Sequence, residues 1–167
     1  MIVAVADNNV IGINNGLPWP HNSEDMKWFK ANTSGKVVVM GSSTWDSLPF
    51  KPLPKRTNVV LTSRNSIQDA DLTLSGEPEE VIEYLKSTYA DLDEVVFMGG
   101  AKVYSDFLKY MDVIYLSRIR GSFEGDTFLD VDTLMSIHNS ETAKFTKTSS
   151  HHLEGEYAVD FEIWEKQ

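Results

Sequence analysis

The residue in this chain best placed to do chemistry is Asp25, in the run Asn22-Ser23-Glu24-Asp25-Met26-Lys27-Trp28-Phe29-Lys30. If Asn22 caps a helix, Asp25 is the third helical residue, where a carboxylate can reach back to the cap amide and favours the positive helix end. Such a purely structural role is common in first turns. Against it, Asp25 adjoins Met26 and lies one turn from Phe29, which puts a carboxylate on the same side as apolar residues. There it could grip a cationic or amidine-like ring.

Two glycine-punctuated turns suggest an anion partner. Val38-Val39-Met40-Gly41-Ser42-Ser43-Thr44-Trp45 runs from an apolar strand into a hydroxyl-rich helix start, where free backbone amides attract phosphate. Val95-Val96-Phe97-Met98-Gly99-Gly100-Ala101-Lys102-Val103-Tyr104 repeats that logic with paired glycines, which permit positive φ or close approach of a ligand. Each alone is matched by an ordinary cap on a structural helix, and the third glycine of the Rossmann fingerprint is missing. Together they favour a dinucleotide. Arg56, after Leu53-Pro54-Lys55, is placed to fork onto a ligand carboxylate or to form an exposed salt bridge. Leu61-Thr62-Ser63-Arg64 ends a strand with hydroxyls and a cation. His138, His151 and His152 lie in polar stretches at spacings unsuited to zinc, so they are read as surface residues and no metal is expected.

These residues need a scaffold. Short β-branched runs at Ile2–Ala6, 36–40, 58–62 and 94–98 predict buried strands. Helices are predicted over 23–32, from Pro78 through Val81, Ile82 and Leu85, and after Gly99-Gly100 with Val103, Tyr104, Phe107 and Leu108 on the apolar side. This alternation implies a largely parallel α/β sheet. Val113–Ile119 and 157–164 read as long strands with no helix between them, forming an antiparallel edge. The loop Val10-Ile11-Gly12-Ile13-Asn14-Asn15-Gly16-Leu17-Pro18-Trp19 joins a strand to a helix; its Leu17 and Trp19 either plug the core or serve a site. With no repeat or composition shift, residues 1–167 are expected to form one domain.

Composition narrows the functions. The 167 residues are 41% hydrophobic, enough for one core, and contain no cysteine, which removes disulfides, thiolate metal sites and cysteine nucleophiles. Any redox chemistry must use a bound cofactor. A formal charge of −10 argues against tracking a nucleic-acid backbone. Small anions would then be held by local donors, with Lys30, Arg56, Arg64, Lys102 and Arg118 the cations to watch. No apolar run approaches a membrane span and no signal-like segment opens the chain, so a cytoplasmic protein is expected.

Taken in order, these segments resemble the dihydrofolate reductase family, of bacterial or phage type, from Ile2 to Trp164. The resemblance is carried by Val10-Ile11-Gly12 with Leu17-Pro18-Trp19, by residues 25–30, by Val39-Met40-Gly41 with Thr44-Trp45, by Leu53-Pro54 with Arg56, by Met98-Gly99-Gly100, and by Gly125-Asp126-Thr127. It implies a mainly parallel central sheet with an antiparallel C-terminal edge, flanked by about four helices. The implied activity is reduction of 7,8-dihydrofolate to tetrahydrofolate by hydride transfer from NADPH, in support of one-carbon metabolism and thymidylate and purine synthesis. A cytoplasmic monomer open to antifolates would follow.

The resemblance also implies roles. Asp25 would hold the pterin amidine edge with help from Ser117, while Leu17 and Trp19 belong to the loop over the reacting ring. Ile2, Val3, Ala4, Phe29, Leu48, Met98 and Tyr104 would line the ring pocket, and Arg56, with Lys30 nearby, would receive the substrate's glutamate carboxylate. NADPH would meet Ala4, Ile11, Gly12, Asn15, Gly41, Ser42, Ser43, Thr44, Leu61, Thr62, Ser63, Arg64, Gly99, Gly100, Ala101, Lys102, Val103, Tyr104 and Thr127. A cis peptide is expected between Gly99 and Gly100. Two departures stand out: one extra residue separates Trp19 from Asp25, and Ser42 and Ser43 replace the Arg and His that many relatives set against the 2′-phosphate. Ser63, Arg64 and Lys102 would have to compensate. Alternatives are a reductase of a pyrimidine precursor in flavin synthesis and a ligand-binding structural subunit.

Overall fold

A computed structural model of the chain describes residues 1–64 and 66–167. Its strands β1 (Ile2–Ala6), β2 (Val10–Gly12), β3 (Val37–Gly41), β4 (Thr57–Leu61), β5 (Leu72–Leu74), β6 (Val95–Phe97), β7 (Val113–Ile119), β8 (Thr127–Phe128), β9 (Phe145–Leu153) and β10 (Val159–Lys166) alternate early with helices and later with one another. The helices are α1 (Ser23–Thr33), α2 (Ser42–Ser47), α3 (Pro78–Thr88), α4 (Ala101–Phe107) and α5 (Val131–Ile137), with a 3-10 turn at Leu108–Tyr110.

The strands pair in the orders β5-β4-β3-β6 and β1-β7-β10-β9, with a small β2-β8 ribbon. The first group is parallel throughout, β1 joins β7 in parallel, and β10 and β9 add the antiparallel edge. This is the predicted mixed α/β architecture. Strand β3 explains why it is stable: Val37, Val38, Val39 and Met40 are all buried, with Val37 and Val39 in one core and Val38 and Met40 in another. A strand covered on both faces must be apolar at every position, and each such side chain contributes about 1.5–3 kcal/mol. Both cores draw residues from both sheets, so the two lie side by side as one layer. Tyr104 stitches them. Its hydroxyl lies 2.8 Å from the carbonyls of Ile2 and Met98, its single proton serving one at a time.

Several elements depart from expectation. Helix α5 occupies a stretch predicted to hold no helix; among the described residues there are five α-helices, in keeping with an expectation of about four. Asp130 caps it by accepting the Thr133 amide at 3.2 Å, while Val131 and Met135 are buried. Two turns give too few periods for the pattern to emerge from the sequence. Strand β9 is equally unforeseen, because residues 146–152 are exposed and polar and show no alternation. The last strand accordingly begins at Val159 rather than at Tyr157. The short strands β2, β5 and β8 are also absent from the predicted elements, two or three residues being too few for a pattern, and the ends of the predicted strands and helices move by one or two residues.

Candidate active site

The parallel strands end on one side of the layer, beside a cavity of about 630 Å³ walled by β1, the loop after β2, α1, α2, the 99–104 turn and β7. Asp25 reaches it from the first turn of α1. Asn22 caps that helix, its Oδ1 accepting the Asp25 amide at 3.0 Å, so Asp25 is the third helical residue as predicted. Among the described residues nothing joins the Asp25 carboxylate to the cap amide; it points into the cavity, 8% exposed. Burial raises its pKa above the usual aspartate value, and the Ser117 hydroxyl opposes that rise. Ser117, on β7, is 1% exposed.

The loop from β2 to α1 closes the other wall. Asn14 and Asn15 both take positive φ, and Ile13 and Gly16 exchange backbone hydrogen bonds of 3.0 and 2.8 Å, giving a two-residue hairpin of the kind asparagine tolerates. Its position is set from β8: Asp126 Oδ2 accepts the Asn14 amide at 2.9 Å, and the Asp126 amide donates to the Gly12 carbonyl at 3.0 Å. Trp19 roots the loop in a core with Val10, Ile119, Val159 and Phe161. Leu17, by contrast, is 55% exposed at the cavity mouth. The indole Nε1 atoms of Trp19 and Trp28 are buried without a partner among the described residues, and both residues line the cavity, so two donors remain for a bound molecule or bridging water.

Arg56 stands outside the wall, on the loop before β4. Its Nε donates to Thr33 Oγ1 at 2.9 Å and one Nη donates to the Pro54 carbonyl at 3.1 Å, while the guanidinium sits 5.6 Å from the Phe29 ring centre. Buried Asn58 fixes this loop, bonding Leu53 through both its amide oxygen and nitrogen and bonding the Arg56 carbonyl. Burial lowers the Arg56 pKa, which leaves a cation at any physiological pH.

The glycine turns behave as a pair. Strands β3 and β6 are neighbours, and the Gly41 amide donates to the Gly99 carbonyl at 2.8 Å. Among the described residues neither α2 nor α4 has a side-chain cap, which leaves their first amides open to a ligand. The 99–100 peptide is cis. A Cβ at Gly99, whose φ is +123°, would fall 3.0 Å from the Tyr104 hydroxyl; one at Gly100 would fall 3.3 Å from Thr44 Oγ1. Glycine is required at position 99, where the positive φ would strain any other side chain. The donor set suits a pyrophosphate.

Of the residues singled out from sequence, Ile2, Val3, Ala4, Ile11, Gly12, Asn15, Leu17, Trp19, Asp25, Phe29, Ser43, Thr44, Leu48, Met98, Gly100, Ala101, Tyr104, Ser117 and Thr127 line the cavity. Lys30, Gly41, Ser42, Arg56, Leu61, Thr62, Ser63, Arg64, Gly99, Lys102 and Val103 stand outside that lining. Arg64 pairs with Asp46 at 3.5 Å on the surface. Arg118 is engaged with Asp132 and Glu162, a structural network. His21, Met26, Trp28, Ser47 and Pro49 also line the cavity and are not anticipated by the sequence reading. Met26 and Trp28 flank the suspected carboxylate and could have been inferred from that; His21 carries no such signal.

A family model described as dihydrofolate reductase matches residues 1–166. The dihydrofolate reductase of Haemophilus influenzae is 39% identical over 128 residues, covering 77% of this chain and 76% of that one. That of Buchnera aphidicola subsp. Acyrthosiphon pisum is 32% identical over 163 residues, covering 98% and 96%. Among solved structures, the dihydrofolate reductase from Enterococcus faecalis complexed with NADP(H) and RAB-propyl aligns with a TM-score of 0.79 at 32% identity, covering 99% of this chain and 94% of that one.

Proposed function

Because the chain belongs to the dihydrofolate reductase family and catalyses the NADPH-dependent reduction of dihydrofolate, we propose that Asp25 is its catalytic carboxylate and that the elements around the cavity divide the remaining work. The Asp25 carboxylate accepts the N–H groups of the pterin amidine edge, with the Ser117 hydroxyl completing the contact. A bound NADPH supplies the hydride. Ile2, Val3, Ala4, Phe29, Leu48, Met98 and Tyr104 hold the ring against it in a dry pocket, which supplies orientation rather than covalent chemistry. Asp25 favours protonation of the imine nitrogen electrostatically, and the proton arrives through water admitted beside Leu17. Trp19 keeps the base of that loop fixed while Leu17 moves.

Arg56, held by Thr33 and Pro54, receives the glutamate carboxylate of the substrate, with Lys30 nearby. The free amides beginning α2 and α4 cradle the cofactor pyrophosphate, with Gly41, Ser42, Ser43 and Thr44 on one side and Gly99, Gly100, Ala101, Lys102 and Val103 on the other. Ile11, Gly12, Asn15 and Thr127, which line the cavity, would hold more of the cofactor, and Leu61, Thr62, Ser63 and Arg64 would lie toward its adenosine. The enzyme works as a single-domain cytoplasmic monomer on small molecules, without nucleic acid or membrane. Among the described residues no helix is long and apolar enough to cross a membrane.

The observation that carries this proposal is a buried carboxylate directed into the cavity rather than to its helix cap. A diaminopyrimidine antifolate presents the same amidine edge, so its binding to wild type and to Asp25→Asn tests the assignment. Loss of the charged partner should weaken binding roughly 10–150-fold, about 1.5–3 kcal/mol. Equal affinities would reject the role given to Asp25.

A further inference from the structure

Strand β4 buries a polar side chain among valines. Asn58 is as fully enclosed as Val59 and Val60 beside it, and an amide in that position is tolerated only when its hydrogen bonds are made. They all go to one loop. Oδ1 accepts the Leu53 amide at 2.9 Å, while Nδ2 donates to the Leu53 carbonyl at 3.0 Å and to the Arg56 carbonyl at 3.1 Å. One side chain thus grips the backbone on both sides of Pro54. The Pro54 carbonyl in turn accepts an Nη of Arg56 at 3.1 Å, and Thr33 Oγ1 accepts its Nε at 2.9 Å. Two of the five guanidinium N–H groups are used in this way, and among the described residues the other three are left for a ligand. Their direction depends on where Pro54 stands. Asn58 is itself held from β5: Asp71 Oδ2 accepts the Asn58 amide at 2.6 Å, and the Asp71 amide donates to the Asn58 carbonyl at 2.9 Å. The carboxylate supplies the bond that a strand carbonyl would, extending the parallel pairing one residue before Val59 and Leu72.

We infer that Asn58 is a positioning residue for substrate binding, with Asp71 behind it: held from β5, the Asn58 amide fixes the Pro54 carbonyl that aims the Arg56 fork at the substrate carboxylate. This rests on the assignment of the glutamate carboxylate to Arg56. Arginine serves a carboxylate through two parallel N–H bonds, so a tilted fork loses binding even though its charge remains. Hydride transfer takes place at the other end of the substrate, on the ring held from Asp25, and does not depend on the fork. A purely structural asparagine makes a different forecast, because a loosened core degrades every substrate alike.

The test compares dihydrofolate with 6-methyl-7,8-dihydropterin, which has the reducible ring but no glutamate arm. Asn58→Leu keeps the volume and deletes the amide. It should raise KM for dihydrofolate roughly 5–50-fold, with kcat at saturation, KM for NADPH and kcat/KM for the dihydropterin each within about twofold. In an Arg56→Leu background the same change should add less than about twofold, because both substitutions remove one contact. Asp71→Ala, at the surface, should raise KM for dihydrofolate roughly 2–5-fold, and Asp71→Asn, which keeps an oxygen for the Asn58 amide, should restore it. That pair decides the matter where Asn58→Leu does not fold. An equal loss with both substrates, an additive loss in the double variant, or Asp71→Asn no better than Asp71→Ala overturns the inference, as does an unchanged KM in Asn58→Leu or Asp71→Ala. Arg56→Leu alone tests the premise: without a rise in KM for dihydrofolate, the carboxylate is bound elsewhere and the assignment of Arg56 fails first.

Discussion

Asp25 is pulled in two directions, and the balance gives it a measurable signature. Burial raises its pKa, with Ser117 opposing, so the folded chain holds the proton more tightly than the unfolded chain does. Folding therefore favours the acid, and stability declines as pH rises from the unfolded value, near 3.8, through the raised folded value. Asp25→Asn removes that handicap. The variant should melt at or above the wild-type temperature at pH 7, with the difference shrinking towards pH 4, while kcat for dihydrofolate falls at least ~100-fold. Calorimetry across pH beside steady-state kinetics checks both; unchanged turnover with a lowered melting temperature is the pattern of a mere capping residue. Arg64 poses a question of selectivity. Ser42 and Ser43 offer no charge to a 2′-phosphate, and Asp46 already engages Arg64 at 3.5 Å, an exposed pair worth at most about 1 kcal/mol and easily exchanged for a phosphate. Arg64→Ala should raise KM for NADPH while leaving KM for NADH nearly unchanged, narrowing the preference by about 1.5–3 kcal/mol. Equal losses with both cofactors would place the selectivity on Lys102 or on backbone donors.

At the scale of elements, the loop between β2 and α1 is held at both ends by different means, the Trp19 ring packing in a core and Asp126 bonding to Asn14. The second attachment is exposed, and the Asn14 amide and Thr127 hydroxyl hold the Asp126 pKa below the usual carboxylate range. Asp126→Ala should free the hairpin turn at 13–16 without unfolding the chain. The single-turnover rate of hydride transfer is expected to drop roughly 5–30-fold, as for one lost hydrogen bond to a charged group, with faster hydrogen exchange at Asn14 and little change in melting temperature. An unaltered rate would mean that Trp19 alone positions the loop. The sequence exposed this loop through its glycines and stranded apolar residues, and it exposed β3 because a strand buried on both faces has no polar position. It concealed β9, whose exposed polar run lacks alternation, and α5, which spans two turns. Asp25 was legible as a carboxylate amid apolar neighbours, but its choice between cap and cavity was not, because that depends on β7 bringing Ser117 alongside. His21 was invisible for the same reason: a loop residue becomes a wall only when the fold puts a cavity beside it.

For the molecule as a whole, the distribution of charge decides how the late strands are tied to the site. Arg120, following β7, pairs with Asp7 at 3.1 Å and with Asp160 on β10, while the Gly121 amide donates to Asp7 at 2.7 Å. His152 on β9 completes the chain, its two ring nitrogens meeting Glu154 and Asp160. This network links the β9-β10 hairpin to the segment that continues to Asp126, and thus to the active-site loop. The bonds to Glu154 and then Asp160 raise the His152 pKa above its ordinary 6.5. A histidine whose pKa is raised by folding contributes stability that is complete below the unfolded value and is lost as pH climbs through the folded one. Asp160 works in the opposite sense: its pKa is lowered, first by His152, so its contribution is complete above 3.8 and fades as acid passes through the folded value. The two overlap in mildly acidic solution. His152→Asn should therefore lower the melting temperature at about pH 6 and have little effect at about pH 9, where the wild-type imidazole has lost its proton. Because Arg120 still holds Asp160, the hairpin remains folded and kcat at pH 9 is unchanged. A melting-temperature difference that stays constant from pH 6 to pH 9 would show that the ring acts through packing and that its charge does not fasten the hairpin.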